Sequence, residues 1–217
     1  QNIGAVQTGY FGSPGLAQAV LDEIKELRRS NSELLYAFDP VMGDRGRGYF
    51  VHSDLPAFFR DSILPHADLI TPNHFEFEVL CGRAIHNFAD AREACRKLCS
   101  PHGPKLVSIT SFEDAARIDA EEIGMFAFDA VRDRAHLVKA FRHQMDPMPN
   151  GAGDAASALF LGHYLLENRD ISLALEKTAA GMEAIFAATA RSGGRDLKLV
   201  GSQNDWAETS GERNRTT

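Results

Sequence analysis

The sequence is poor in three features, and each shortage excludes a class of protein. It has no run of about 18 apolar residues, the length that a membrane-spanning helix needs. Acidic residues outnumber basic ones by 30 to 23, and the net charge of −7 argues against nucleic acid, which requires a basic face, as the main partner. Cysteine occurs only three times, which suits a reducing compartment such as the cytoplasm better than a disulfide scaffold.

The three cysteines allow two interpretations. Cys95 and Cys99 lie four residues apart on a predicted helix, and His102 follows them. A zinc site would need a fourth ligand, which the sequence does not place. We therefore interpret Cys95 and Cys99 as buried thiols on a helix face, and Cys81 is the third cysteine.

The beginning of the sequence lacks both an initiator Met and a recognisable signal peptide. Residues 3–8 already have the character of an interior strand, and domains seldom begin at a core strand. We therefore expect the chain to be a fragment or to follow further residues. An open apolar strand edge favours aggregation, so the 217 residues expressed alone are expected to be poorly soluble or monomeric.

Hydrophobic residues make up 44% of the chain, enough for a domain with a sizeable core. Strand and helix patterns alternate, which predicts an α/β fold with a mainly parallel sheet covered by helices on both faces. The predicted strands are residues 3–8, 34–38, 68–71 and 105–110, followed by a hairpin of residues 124–131 and 136–141. The predicted helices are residues 16–28, 53–61, 73–80, 89–99, 155–167 and 172–190. We expect a single domain over residues 1–203 and a disordered tail over 204–217.

A glycine-rich motif, Pro149-Asn150-Gly151-Ala152-Gly153-Asp154, precedes the apolar helix pattern of residues 155–166. Glycines leave the backbone amides accessible, and a helix that begins here points its free N–H groups and positive dipole end at an anion. The carboxylate of Asp154 suits removal of a proton from a hydroxyl that attacks a phosphate. The alternative is an ordinary helix start after a glycine turn.

Polar residues follow several predicted parallel strands, where α/β sheets bind their ligands. They are Asp39, Asp44, Asn73, Glu76, Thr110 and Ser111. Carboxylates and an amide beside an anion site suit Mg²⁺ that bridges nucleotide phosphates. Turn chemistry explains each Asp-Pro or Pro-Asn pair alone, but their joint placement favours a phosphoryl-transfer site.

Four motifs resemble, in their order, those of pyridoxal kinases in the ribokinase superfamily. They are Thr8-Gly9-Tyr10, Asp39-Pro40-Val41-Met42-Gly43-Asp44, Thr71-Pro72-Asn73 with Glu76, and Gly151-Ala152-Gly153-Asp154. The last motif is shared by the superfamily, whereas the others are more specific for the vitamin B6 branch. The resemblance covers about residues 3–203 and implies a ribokinase-like three-layer sandwich. Hydroxymethylpyrimidine kinases share Asp-Pro-Val-Met and Pro-Asn and are the nearest alternative, and a catalytically silent ATP- or B6-binding protein is the third.

The resemblance implies ATP-dependent phosphorylation of the 5′-hydroxyl of pyridoxal, and of pyridoxine or pyridoxamine. Asp154 would contact the substrate and act as the base, while the amides of Gly151, Ala152 and Gly153 would bind the transferring phosphoryl group. The residues that would organise Mg²⁺, directly or through water, are Asp39, Asp44 and Glu76. The residues that would contact the phosphates of ATP are Asp44, Asn73, Thr110 and Ser111.

Further implications of the resemblance concern the substrate pocket and assembly. Tyr10 would border the pyridoxal ring, although it could instead be a core aromatic residue, and Thr110 and Ser111 could form a strand-end turn. A monovalent cation such as K⁺, a homodimer and a cytoplasmic location are also expected. The family has further strands before its Thr-Gly-Tyr motif, which carry much of the pyridoxal pocket and part of the dimer contact. This sequence begins after them, so little pyridoxal phosphorylation is expected of the 217 residues alone.

Overall fold

The computed structural model describes residues 3–114, 117–143, 145, 148–194 and 196–207. Contacts between residues divide the chain into two compact units. The first comprises Gln1–Ile85, Ala89–Ile109 and Phe128–Arg134, and the second comprises His86–Phe88, Thr110–Ala127 and Ala135–Thr217. The single domain expected over residues 1–203 stays a prediction.

Strands and helices alternate along the described chain, as the sequence predicts. The strands are β1 (Ala5–Thr8), β2 (Leu35–Phe38), β3 (Gly43–Asp44), β4 (Gly48–Tyr49), β5 (Leu69–Ile70), β6 (Leu106–Phe112), β7 (Glu122–Asp129) and β8 (Arg134–Phe141). The α-helices are α1 (Pro14–Ser30), α2 (Leu55–Phe58), α3 (His74–Cys81), α4 (Phe88–Leu98), α5 (Ala152–Leu166), α6 (Ile171–Ser192) and α7 (Gln203–Ala207). No helix in the part of the chain that is described is long and apolar enough to cross a membrane.

A six-stranded sheet has the order β1-β2-β5-β6-β7-β8, and β3 pairs with β4 in a separate hairpin. Parallel pairing joins β1 to β2, β2 to β5 and β5 to β6. The amide of Ala130, after β7, donates to the carbonyl of Lys105, before β6, so these two strands are antiparallel. The amide of Arg142 likewise donates to the carbonyl of Glu121, which continues the pairing at the open end of the β7–β8 hairpin. The predicted α/β class, mainly parallel sheet and hairpin are confirmed.

Strand β2 is buried along its whole length, as expected for a parallel strand covered on both faces. Phe38 contacts Phe59 edge to face, with ring centroids 5.0 Å apart, and Phe11 lies 6.2 Å from Phe38. The hydroxyl of Tyr36, in the same strand, forms a 2.8 Å hydrogen bond with Oγ1 of Thr8. This cluster holds the ends of β1 and β2 in place, and therefore the loops that follow them.

Two helical segments differ from the prediction because of local chemistry. Helix α1 begins two residues before the predicted start, since Ser13 caps it through the amide of Leu16 and Pro14 fits the first helical position. The helix predicted over residues 53–61 is α-helical only in α2. It then widens to a π turn over Phe59–Ile63, where the amide of Leu64 donates to Phe59, and Pro65 lacks the donor that would continue an α-helix.

The tail that was expected to be disordered, residues 204–217, begins within a short helix in the structure. Val200–Ser202 form a 3-10 turn and α7 follows. The indole Nε1 of Trp206 donates to the carbonyl of Leu199 at 2.7 Å, which ties the short helix back to the preceding turn. Gly181 in α6 lies close to α7, because a Cβ on Gly181 would be 3.5 Å from the carbonyl oxygen of Trp206. Residues 208–217 lie outside the described part.

The three cysteines carry free thiols, and Cys95 and Cys99 are buried. Cys95 lies on α4, as the helix-face interpretation predicts. Burial raises the pKa of Cys81 and Cys99 to about 12, and it raises that of Cys95 well above its ordinary value. These thiols are therefore protonated and poor nucleophiles at neutral pH.

We expect the native thiols to react with a disulfide reagent at pH 8 about 10³-fold more slowly than free cysteine. The reason is that the thiolate fraction falls with each unit of raised pKa. Absorbance of the released thiol would be followed for the native chain and for the chain in guanidinium chloride, in which all three cysteines should react rapidly. A native thiol that reacts as fast as free cysteine would contradict the buried positions.

Candidate active site

The end of β2 leads into a loop that carries two of the predicted carboxylates. Asp39 is buried, 4% exposed, and its amide donates to the carbonyl of Thr8 at 2.9 Å, across the ends of β1 and β2. Asp44 is exposed and lies in β3. Gly43 pairs with Tyr49, and Asp44 with Gly48, in a short antiparallel hairpin that the sequence analysis did not find. The closely spaced glycines around Asp44 were the available signal for a tight turn.

The predicted capping box at the start of α3 is confirmed. Oδ1 of Asn73 accepts from the amide of Glu76 at 2.9 Å, and Oε2 of Glu76 accepts from the amide of Asn73 at 2.8 Å. The other carboxylate oxygen of Glu76 accepts from the amide of Met42 at 2.8 Å and from that of Gly43 at 3.4 Å. Glu76 therefore joins the loop after β2 to the start of α3, as expected for residues at neighbouring strand ends.

Glu76 is only 3% exposed. Its pKa is raised to about 8, chiefly by burial and also by the nearby charge of Asp39, although the amides of Asn73, Met42 and Gly43 act in the opposite direction. Two acidic side chains so close together are costly to ionise, and a bound cation would lower that cost. In the described part of the chain, however, no three His, Cys, Asp or Glu side chains converge as a ready metal cage.

Tyr10 lies just beyond the end of β1 and is 60% exposed. Its ring is therefore not part of the core, which was the alternative interpretation of this residue. An exposed aromatic ring at the carboxyl end of a strand is available to border a ligand. Its role at a pyridoxal ring stays a prediction.

The glycine-rich motif forms the start of α5 in the second unit. Gly151 is the N-cap, with φ of 84°, a left-handed conformation that favours glycine. Helix α5 begins at Ala152, three residues before the predicted start, and Asp154 lies exposed in its first turn. No side chain caps this helix, and a Cβ on Gly153 would meet nothing within 4 Å. The first-turn amides are accordingly accessible to an anion, with one carboxylate beside them.

The sequence analysis placed Thr110 and Ser111 after the end of their strand, but in the structure both residues lie within it. Strand β6 extends to Phe112 and both side chains are half-buried. Phe112 packs against Phe126 of β7, with ring centroids 5.3 Å apart, and the neighbouring strand extends the pairing beyond the predicted end. The strand-end turn is therefore not the role of these two residues, and their contact with phosphate stays a prediction.

Comparison with known proteins identifies the family. The family model described as phosphomethylpyrimidine kinase matches residues 1–196. The pyridoxal kinase PdxY of Rubrobacter xylanophilus is 40% identical over 203 residues, which are 93% of this chain and 68% of that protein. The corresponding protein of Deinococcus radiodurans is 37% identical over 204 residues, 93% of this chain and 67% of that one.

A solved structure of the same family has a closely similar fold. The Plasmodium falciparum PdxK structure, with the ligands AMP-PNP and PL, gives a TM-score of 0.76 at 26% identity. The similarity covers 97% of this chain and 72% of that one. The predicted ribokinase-like α/β fold is thereby confirmed. On the match to the family model and the identity to these two relatives, this chain belongs to the phosphomethylpyrimidine kinase family and, within it, to the pyridoxal kinases.

Proposed function

We propose that this chain transfers the γ-phosphoryl group of ATP to the 5′-hydroxyl of pyridoxal, which yields pyridoxal 5′-phosphate and ADP. The observation that carries the proposal is the start of α5, where first-turn amides without a side-chain cap lie beside the carboxylate of Asp154. The relatives named pyridoxal kinase, and the related structure that holds AMP-PNP and PL, support this substrate pair. Pyridoxine and pyridoxamine, which carry the same hydroxyl, are proposed as further substrates.

In this reaction the hydroxyl oxygen of the substrate forms a bond to the γ-phosphorus as the bond to the β-phosphate oxygen breaks. Asp154 accepts the proton that the hydroxyl loses. The amides of Gly151, Ala152 and Gly153 donate to the oxygens of the transferring phosphoryl group, and the positive end of the α5 dipole adds to this stabilisation. Tyr10 borders the ring of the substrate.

A kinase of this type requires a divalent metal with its nucleotide, and we propose Mg²⁺. Hard oxygen donors suit this ion, and the loop from Asp39 to Asp44 supplies two carboxylates, while Glu76 adds a third that contacts that loop. Bound Mg²⁺ would neutralise charge on the phosphates. The residues proposed to contact ATP phosphates are Asp44, Asn73, Thr110 and Ser111. A monovalent cation such as K⁺, a homodimer and a cytoplasmic location belong to the same proposal.

A second candidate is a hydroxymethylpyrimidine-type kinase, since the matching family model is described as phosphomethylpyrimidine kinase. Both reactions phosphorylate a primary alcohol on a heteroaromatic ring. ADP release would be measured with pyridoxal and with hydroxymethylpyrimidine side by side. Turnover with pyridoxal alone supports the proposal, turnover with the pyrimidine alone supports the second candidate, and binding without ADP release would indicate a silent binding protein.

Asp154→Asn preserves the shape of the side chain but removes its basicity. We expect kcat to fall by about 10² to 10⁴, the range for a lost general base, with ATP affinity little changed. Steady-state ADP release and nucleotide binding would be measured. Asp170→Asn is the matched control, because Asp170 is an N-cap carboxylate on α6 and Asn caps equally well. Near-normal turnover of Asp154→Asn would remove Asp154 from the role of base.

Asp44→Asn tests the metal assignment without burial costs, since Asp44 is exposed. We expect the Mg²⁺ concentration for half-maximal activity to rise about tenfold, as when a residue that organises a metal is lost. Activity would be titrated with Mg²⁺ at fixed ATP. Asp54→Asn, another exposed carboxylate of the same unit, should leave the titration unchanged. An unchanged titration for Asp44→Asn would exclude Asp44 from the metal site.

A further inference from the structure

The backbone of Gly43 is held at both of its polar groups by side chains from the start of α3. Its carbonyl accepts from Nδ2 of Asn73 at 2.8 Å. Its amide donates to Oε1 of Glu76 at 3.4 Å, and the same oxygen accepts from the amide of Met42 at 2.8 Å. We call this set of contacts from Asn73 and Glu76 to Met42 and Gly43 the latch.

The latch uses the atoms that the capping box leaves over. A capping box needs only one oxygen of each side chain, and here these are Oδ1 of Asn73 and Oε2 of Glu76. Nδ2 of Asn73 and Oε1 of Glu76 are thereby free to act on the loop. Loss of the latch can consequently be separated from loss of the helix cap, because Asp caps a helix as well as Asn but has no donor for the carbonyl of Gly43.

The fit around Gly43 is close. A Cβ built on Gly43 would lie 2.4 Å from the carbonyl oxygen of Gly48 and 2.8 Å from Cε1 of Phe75. Further contacts join the hairpin to α3, since Tyr49 meets Phe75 edge to face at 5.3 Å and Arg45 pairs with Glu78 at 3.2 Å. The β3–β4 hairpin is therefore seated on α3 with no room for a side chain at Gly43.

We propose that Asn73 and Glu76 are positioning residues that act through the backbone of Met42 and Gly43. They hold the loop of Asp39 and the hairpin of Asp44 in place before nucleotide or metal binds. The inference rests on the proposed function for the roles of Asp39 and Asp44, but the latch itself is a property of the ligand-free chain. It goes beyond a ligand contact, because disturbing the loop while both side chains remain intact should produce the same defect.

Gly43→Ala provides that test, since both side chains of the latch stay in place while the added methyl group forces the hairpin away. Hydrogen exchange of residues 40–50 would be measured without ligands. We expect their amides to exchange about 3- to 10-fold faster, the factor that corresponds to a lost hydrogen bond. Gly46→Ala is the matched control in the same hairpin, because a Cβ there meets nothing within 4 Å. Asn73→Asp, which keeps the cap of α3 but loses the donor to the carbonyl of Gly43, should accelerate exchange as Gly43→Ala does.

Kinetics then separate the latch from a ligand contact. Gly43→Ala and Asn73→Asp should both raise the Mg²⁺ concentration for half-maximal activity. The double variant should raise this concentration by less than the product of the two single factors, because both changes disturb the same contact. Wild-type exchange in Gly43→Ala, or faster exchange with wild-type Mg²⁺ dependence, would overturn the positioning role. A wild-type chain without kinase activity on either alcohol would count against the proposed function, and exchange would still report whether the latch exists.

Discussion

In the first unit, the loop after β2 and the start of α3 both depend on the carboxylate of Glu76. It is buried, and three backbone amides from two segments donate to it. A buried carboxylate is tolerated only when it is hydrogen-bonded, and each donor left without it would cost about 1–3 kcal/mol. The loop after β2 and the start of α3 therefore hold each other in place, and neither conformation is independent of the other.

Four of the described helices, α1, α3, α5 and α6, begin in two opposite ways. Ser13, Asn73 and Asp170 each cap a helix with a side-chain oxygen, so the protein itself satisfies those amides. Helix α5 has Gly151 as its N-cap instead, and the left-handed conformation of Gly151 turns the chain without supplying a side-chain acceptor. Its amides need another partner, and an anion is the partner that the helix dipole favours. Among these four helices, the start that lacks a side-chain cap is the one with the glycine-rich motif.

Sequence patterns predicted the parts of the fold that depend on neighbouring residues. The capping box of Asn73 and Glu76 needs only a three-residue spacing, and the apolar strand β2 needs only a short run of hydrophobic residues. Two other features escaped prediction because they depend on distant partners. The extension of β6 over Thr110 and Ser111 follows from pairing in the sheet, and the second contact of Glu76 reaches Met42, 34 residues away. For the same reason the sequence predicted that Glu76 organises a metal, but it could not predict that the oxygens of Glu76 accept hydrogen bonds from distant backbone amides.

Only some of the described residues could discriminate between pyridoxal and a hydroxymethylpyrimidine. In the proposed function, the amides at the start of α5, the carboxylate of Asp154 and the loop of Asp39 and Asp44 would act on phosphate, metal and a hydroxyl proton. Pyridoxal and a hydroxymethylpyrimidine have these reacting groups in common. Discrimination must come from groups that meet the ring, because only there do the two alcohols differ. Tyr10 is exposed at a strand end and is the candidate for such a contact in the first unit. Under the proposed function, the residues that act on phosphate can therefore serve either alcohol, and residues near Tyr10 would determine which of the two is the substrate.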